Sequence, residues 1–110
     1  MNIMNNNLQN DAIHDTLKNL IHTGSNIHKE MVLEFFLVVP SVPLAKNVIF
    51  ETTTIGFSSS YTIINNEVIC YCQKLMVPNY TKIKEIEYTL EAIAKKYKGY
   101  ADGFGTYGNA

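Results

Sequence analysis

The chain has 110 residues, of which 46% are hydrophobic and 17% charged, as expected for one globular domain with its own core. Its net charge of −1 gives no electrostatic signature of nucleic-acid binding, and no basic amphipathic helix indicates a membrane surface. Residues 1–9 are polar and rich in asparagine, which predicts a flexible N-terminus without a secretory signal before a single domain over residues 10–107. No apolar run has the length of a membrane span, so we expect a cytoplasmic protein in which Cys70 and Cys72 are reduced.

The domain begins with a predicted helix and a predicted strand. The helix covers residues 10–23, with Asn10 or Asp11 as its cap and one apolar stripe at helical spacing, formed by Ile13, Leu17, Leu20 and Ile21. Residues 30–39 form a strand that begins with Glu30 and is then apolar on both faces except at Glu34. Such a strand is typical of the middle of a sheet that is covered on both sides.

A second helix and a hairpin are predicted next. The sequence Pro-Ser-Val-Pro opens the helix, with Ser41 as a plausible cap, and the helix frays before Gly56. Residues 57–64 alternate as a half-buried strand, the pair 65–66 is Asn-Asn and predicts a tight turn, and residues 67–77 form the return strand. The return strand is again apolar on both faces, which indicates a second central strand.

The third helix has the clearest periodicity, over residues 80–98, and Gly99 is predicted as its C-cap. Residues 100–107 then form a last strand that contains Gly103 and Gly105. Because glycine weakens a strand, we interpret these two as positions that allow close packing.

The order of elements is one helix followed by β-α-β-β-α-β. This order predicts an α+β, ferredoxin-like split βαβ fold, with a four-stranded antiparallel sheet and an additional N-terminal helix. The first and third strands are central in that topology and the second and fourth are edges, in agreement with their hydrophobic patterns. Two helices cover one sheet face. The N-terminal helix is expected to cover the other face, with a second protein or a dimer mate as the alternative.

The closing motif resembles that of a known family. Residues 102–107 have the sequence Asp-Gly-Phe-Gly-Thr-Tyr, which is similar to the Asp-Gly-Trp-Gly-Thr ending of the RraB family, regulators of ribonuclease E activity. Residues 20–25 resemble the end of that family's N-terminal helix, and residues 68–72 resemble its Val-Ile-Cys-Cys strand. The resemblance covers about residues 10–107.

The resemblance implies a ferredoxin-like fold, no catalytic activity, no cofactor, and inhibition of a ribonuclease E-like enzyme by binding to its non-catalytic scaffold region. Two departures bear on the partner. The best-known members are strongly acidic and carry an acidic tail, whereas this chain is near neutral and ends at Ala110, and the motif aromatic is Phe104 rather than Trp. Weaker binding of a basic scaffold, or a different partner, is the expected consequence.

Other functions remain open from the residues alone. An immunity protein of the same fold that neutralises a cognate toxin is the main alternative, and a homodimer is a possible assembly. An RNA-binding module is less favoured, because the first and third strands lack the basic residues and glycine pattern of that version of the fold. We therefore expect a protein partner and no direct contact with nucleic acid or membrane.

The candidate partner-binding residues are Glu34, Asp102, Phe104, Thr106 and Tyr107. Glu34 interrupts an apolar strand, and a paired acid–base site with Asp102 is conceivable because their strands are predicted neighbours. The preferred role for Asp102 is to accept backbone hydrogen bonds. No metal site is predicted, because the three histidines have no ligand spacing to one another or to the cysteines.

Overall fold

The computed structural model describes the backbone of residues 2–110 and the side chains of residues 12–110. Three helices and four strands follow in the predicted order: α1 (Asn2–His22), β1 (Met31–Val39), α2 (Val42–Thr54), β2 (Ser58–Ile64), β3 (Glu67–Met76), α3 (Tyr80–Lys96) and β4 (Tyr100–Thr106). The first helix begins at Asn2 and not near residue 10, so Asn10 and Asp11 lie inside it rather than at its cap. The predicted flexibility of residues 1–9 stays a prediction. None of the described helices is long and apolar enough to cross a membrane.

The four strands form one antiparallel sheet in the order β2-β3-β1-β4. The ferredoxin-like prediction is confirmed, and β1 and β3 are the central strands. Phe35 pairs with Cys72, and Phe36 pairs with Tyr71. The pairing of β1 with β4 is irregular between Phe35 and Leu37, so the edge strand β4 carries a bulge.

One sheet face, which we call the helix face, carries the hydrophobic core. The odd-numbered residues of β1 point to it because side chains alternate along a strand, and they meet the buried stripes of α2 and α3. Cys70 and Cys72 lie among them, fully buried and free, and burial raises the pKa of Cys70 to about 12 and also raises the pKa of Cys72. The most deeply buried residues include Leu33, Phe35, Leu37, Val48, Ile83, Leu90 and Ala94.

Helix α1 lies on the same side of the sheet as the other two helices. Its Ile13 and Leu20 belong to the core, and the ring of His14 stacks on that of Tyr80 of α3 at a centroid distance of 4.5 Å. The expectation that this helix covers the second sheet face is therefore wrong for the residues that the structure describes. Burying the α1 stripe against the existing core extends that core instead of starting another.

All three helices end in the same hydrogen-bonded arrangement, in which the chain turns through a left-handed residue. Gly24 and Gly56 occupy this position after α1 and α2, with φ of +96° and +105°. After α3 the left-handed residue is Lys98, with φ of 66°, so the prediction that Gly99 caps this helix is wrong. Gly99 is needed for another reason, since a Cβ there would lie 2.1 Å from the carbonyl oxygen of Val38.

Short polar residues begin and connect the remaining elements. The turn between β2 and β3 has positive φ at both Asn65 and Asn66, the type I′ geometry that suits a two-residue hairpin. Asn79 caps α3 by accepting a hydrogen bond from the Lys82 backbone NH at 3.0 Å. Ser41 occupies the N-cap position of α2 without a side-chain capping bond. The hairpin prediction is thus confirmed, and the capping prediction for Ser41 holds for position only.

Candidate functional site

The sheet face opposite the helices is not covered by any described helix, and we call it the open face. It is formed by the even-numbered residues of β1 and by the residues that pair with them on β3 and β4. The side chains of Val32 and Leu75, which pair with each other there, are 47% and 59% exposed. Apolar side chains in adjacent positions on an exposed sheet are typical of a surface that contacts another molecule.

A cleft of about 500 Å³ lies on this face along the junction of β1 and β4. We call it the sheet cleft. It is lined by eight residues from β1, β3, β4 and the segment after β4: Val32, Glu34, Phe36, Gln73, Gly105, Thr106, Tyr107 and Gly108. The cleft combines one carboxylate with aromatic and apolar walls.

Glu34 supplies the charge of the sheet cleft. The register places it between Gln73 of β3 and Gly105 of β4. The Gln73 side-chain amide donates a hydrogen bond of 2.7 Å to the Glu34 carboxylate. This bond orients the carboxylate without neutralising it, because Gln73 carries no charge.

Aromatic side chains form the apolar part of the cleft. The ring of Phe36 meets Tyr71 edge to face, with centroids 5.7 Å apart, which fixes its orientation. Gly105 leaves the space beside Phe36 open, since a Cβ at Gly105 would approach the ring no closer than 3.8 Å. Tyr107 is fully exposed at the rim.

The segment that carries Tyr107 is held by hydrogen bonds on both sides. The Thr106 hydroxyl donates to the Val32 carbonyl oxygen at 2.6 Å and accepts from the Gly108 backbone NH at 3.1 Å. One residue further, the Asn109 side chain bonds to the backbone of the loop between α1 and β1. The rim of the cleft is therefore anchored to the fold despite lying beyond the last strand.

The structure brings three of the five predicted partner-binding residues together. Glu34, Thr106 and Tyr107 all line the sheet cleft. Phe104 lies on the helix face, where its ring stacks on Phe35 with centroids 5.6 Å apart, so it packs against the core. Asp102 is exposed near the β4 bulge, and no hydrogen bond to its carboxylate is found among the described residues. We therefore restrict the candidate site to the first three residues and their neighbours in the cleft.

The glycines of the closing motif act differently from the prediction. Gly103 has a φ of +88° and no atom within 4 Å of the place where a Cβ would stand, so it is required by the backbone turn and not by packing. Gly105 has only ordinary contact distances around it. The close approach expected at these two positions occurs instead at Gly99.

Five residues of the cleft were not predicted as site residues: Val32, Phe36, Gln73, Gly105 and Gly108. Val32 and Phe36 share the even-numbered face of β1 with Glu34, so the alternation of the strand could have indicated them. Gln73 could not be found in this way, because its place opposite Glu34 depends on the register between β1 and β3.

The residues weighed for catalysis do not assemble in the described structure. The register places Glu34 opposite Gly105, and its carboxylate bonds to β3, on the side away from β4 and Asp102. Among the described residues, no group of three or more His, Cys, Asp and Glu side chains could hold a metal ion. The arrangement at the sheet cleft is suited to binding a partner side chain.

The comparisons with known proteins identify the family. No curated protein matches the sequence. A family model described as "RraB: Regulator of ribonuclease activity B" matches residues 10–106, which span α1 from its middle through to the end of β4. The chain therefore belongs to the RraB family.

Proposed function

We propose that this protein restrains a ribonuclease, of the ribonuclease E type, by binding to it as a protein partner and without performing catalysis itself. The observation that carries this proposal is the family match over residues 10–106. In this proposal the protein contacts the enzyme itself and makes no direct contact with nucleic acid.

The open face is the surface that best supports such binding. It presents the exposed side chains of Val32 and Leu75 beside the aromatic residues Phe36, Tyr71 and Tyr107. Aromatic residues at the centre of a contact surface supply much of the binding energy of protein interfaces. The opposite sheet face is occupied by the three helices and offers no comparable sheet surface among the described residues.

The proposal is tested with purified components. The protein is mixed with a ribonuclease E-like enzyme from the same cell, and two quantities are measured, co-migration in size-exclusion chromatography and the initial rate of cleavage of a fluorescent RNA. We expect a complex and a lower cleavage rate. An unchanged rate without a complex would overturn the proposal, and capture of a toxin instead would favour the immunity-protein alternative.

The surface is tested with a pair of variants. Leu75→Glu places a charge in the exposed apolar part of the open face, whereas Phe50→Glu changes an exposed residue of α2, on the far side of the sheet. We expect the first variant to weaken the complex at least about tenfold and the second to leave it within about twofold. If both variants bind the ribonuclease with equal affinity, the open face is not the binding surface.

A further inference from the structure

We propose that the sheet cleft receives a cationic side chain of the bound partner, and that an arginine guanidinium fits it best. This inference rests on the proposed function, because it specifies the chemistry by which the open face would recognise the ribonuclease. Three features of the cleft carry it: a carboxylate that lacks a cationic partner among the described residues, aromatic walls, and a floor without a side chain.

The Glu34 carboxylate has capacity for another donor. Gln73 donates to its Oε2 atom, which leaves Oε1 for a second hydrogen bond. Among the described residues, Glu34 has no lysine or histidine within ion-pair distance. A guanidinium would supply both the missing positive charge and NH groups in a planar arrangement that matches a carboxylate.

The walls of the cleft suit the flat face of a guanidinium. Tyr71 fixes the ring of Phe36 edge to face, and Tyr107 stands free at the rim. A cation within about 6 Å of a ring centroid is attracted to the ring face, and arginine makes this contact more often than lysine. A long aliphatic stem would meanwhile contact Val32.

The floor of the cleft is open because residue 105 is glycine. A Cβ there would stand 3.8 Å from Cε2 of Phe36, so even an alanine would occupy part of the space beside the ring. The backbone does not require glycine at this position by a positive φ, unlike Gly103. The missing side chain therefore creates room in the cleft that the fold itself does not need.

The charge of the surrounding strands favours the same ligand. The open face carries the carboxylates of Glu34 and Glu67, and the negative charge of Glu67, together with the weaker effect of Asp102, raises the pKa of Tyr100. The only lysine in the four strands is Lys74, which lies on the helix face with its ammonium 5.3 Å from the centroid of Phe57. A near-neutral chain thus presents an acidic sheet surface, which attracts cationic groups before contact.

The cleft is tested without the ribonuclease by titrating the full chain with a short arginine-containing peptide and following backbone amide signals by NMR. The matched probe is the same peptide with citrulline, a neutral isostere, in place of arginine. We expect shifts at Glu34, Gln73 and Gly105 with the arginine peptide and at least about tenfold weaker binding of the citrulline peptide. Equal binding of both peptides, or shifts confined to other residues, would overturn the inference.

Variants link the cleft to the ribonuclease. Glu34→Gln keeps the size of the side chain and removes its charge, and Glu67→Gln removes a carboxylate of the open face that lies outside the cleft. We expect the first to weaken both the arginine peptide and the ribonuclease about tenfold, and the second to weaken them less than about twofold. Unchanged affinity of Glu34→Gln for both would overturn the inference. If the protein binds the arginine peptide but not the ribonuclease, the proposed function is overturned, while arginine binding by the sheet cleft is supported.

Discussion

Asn26 and Asn109 are joined by a pair of hydrogen bonds that ties the segment after β4 to the loop between α1 and β1. The Asn109 side chain accepts from the Asn26 backbone NH at 2.8 Å and donates to the Asn26 carbonyl oxygen at 2.9 Å. The same amide reaches the carbonyl oxygens of Lys29 and Glu30. One side chain thus bonds to the backbone of three residues of this loop.

Replacing Asn109 should lower stability through this loop. Asn109→Ala leaves the Asn26 NH without its acceptor, and we expect the free energy of unfolding to fall by about 1–2 kcal/mol. Urea denaturation followed by circular dichroism measures the loss. Asn47→Ala, at an exposed position of α2, is the control and should change stability by less than about 0.5 kcal/mol. Equal effects would show that the contact contributes nothing.

The left-handed residue after α3 offers a gain in stability. Lys98 adopts a φ of 66°, which costs about 1–2 kcal/mol for a residue with a Cβ and almost nothing for glycine. Lys98→Gly should therefore raise the free energy of unfolding by about 1 kcal/mol. Lys95→Gly, inside the same helix, should lower it by a similar amount, about 1 kcal/mol. Thermal denaturation of both variants measures these changes. A lower melting temperature of Lys98→Gly would contradict the assignment of the turn.

Replacement by alanine should destabilise the protein strongly at Gly99 and hardly at all at Gly105. A Cβ at residue 99 would stand 2.1 Å from a backbone oxygen of Val38, which cannot move without disturbing β1, so Gly99→Ala should cost at least about 2 kcal/mol. Gly105→Ala meets only the Phe36 ring at 3.8 Å and should change the free energy of unfolding by less than about 0.5 kcal/mol. Equilibrium unfolding of both variants is the measurement, and a reversed order would refute it.

Stability should fall in acid partly through Glu51. Hydrogen bonds from Lys96, 2.8 Å away, and from the Tyr97 hydroxyl lower the pKa of Glu51. A carboxyl whose pKa is lower in the folded state stabilises the fold above its unfolded pKa and loses that contribution as the pH falls through the folded value. Glu51→Gln and Lys96→Met should both flatten the loss of stability between about pH 6 and pH 3, seen in urea titrations. A slope unchanged in both variants would exclude this bridge between α2 and α3.

The topology could be predicted from the sequence because each helix and strand has its own hydrophobic periodicity and is bounded by turn or capping residues. The two strands apolar on both faces are the central ones, and Asn65–Asn66 is the hairpin turn. The location of α1 could not be predicted, since an amphipathic stripe shows that a helix is buried but not which surface buries it. The left-handed residue after α3 could not be predicted, because it is Lys98, whereas this conformation is usually adopted by glycine.

The sheet cleft was only partly predictable for a related reason. Glu34 is visible in the sequence as the one charge in an apolar strand, and Thr106 and Tyr107 as part of the closing motif. That these three residues lie close together depends on the register of β1 with β4 and on the bulge that shifts this register. Phe104 belongs to the same motif but packs against the core, because its side chain points to the other face of the sheet.

Chemical modification of the two buried thiols can be used to follow unfolding of the protein. Cys70 and Cys72 have no exposed surface, and the pKa of Cys70 is raised to about 12, so neither thiol meets a labelling reagent in the native molecule. Both lie on β3, in the centre of the sheet, where local fraying does not reach. The rate at which a thiol reagent modifies the chain therefore measures how often the whole sheet opens. A partner that occupies the open face would slow that rate by a factor that rises with the ratio of its concentration to its Kd.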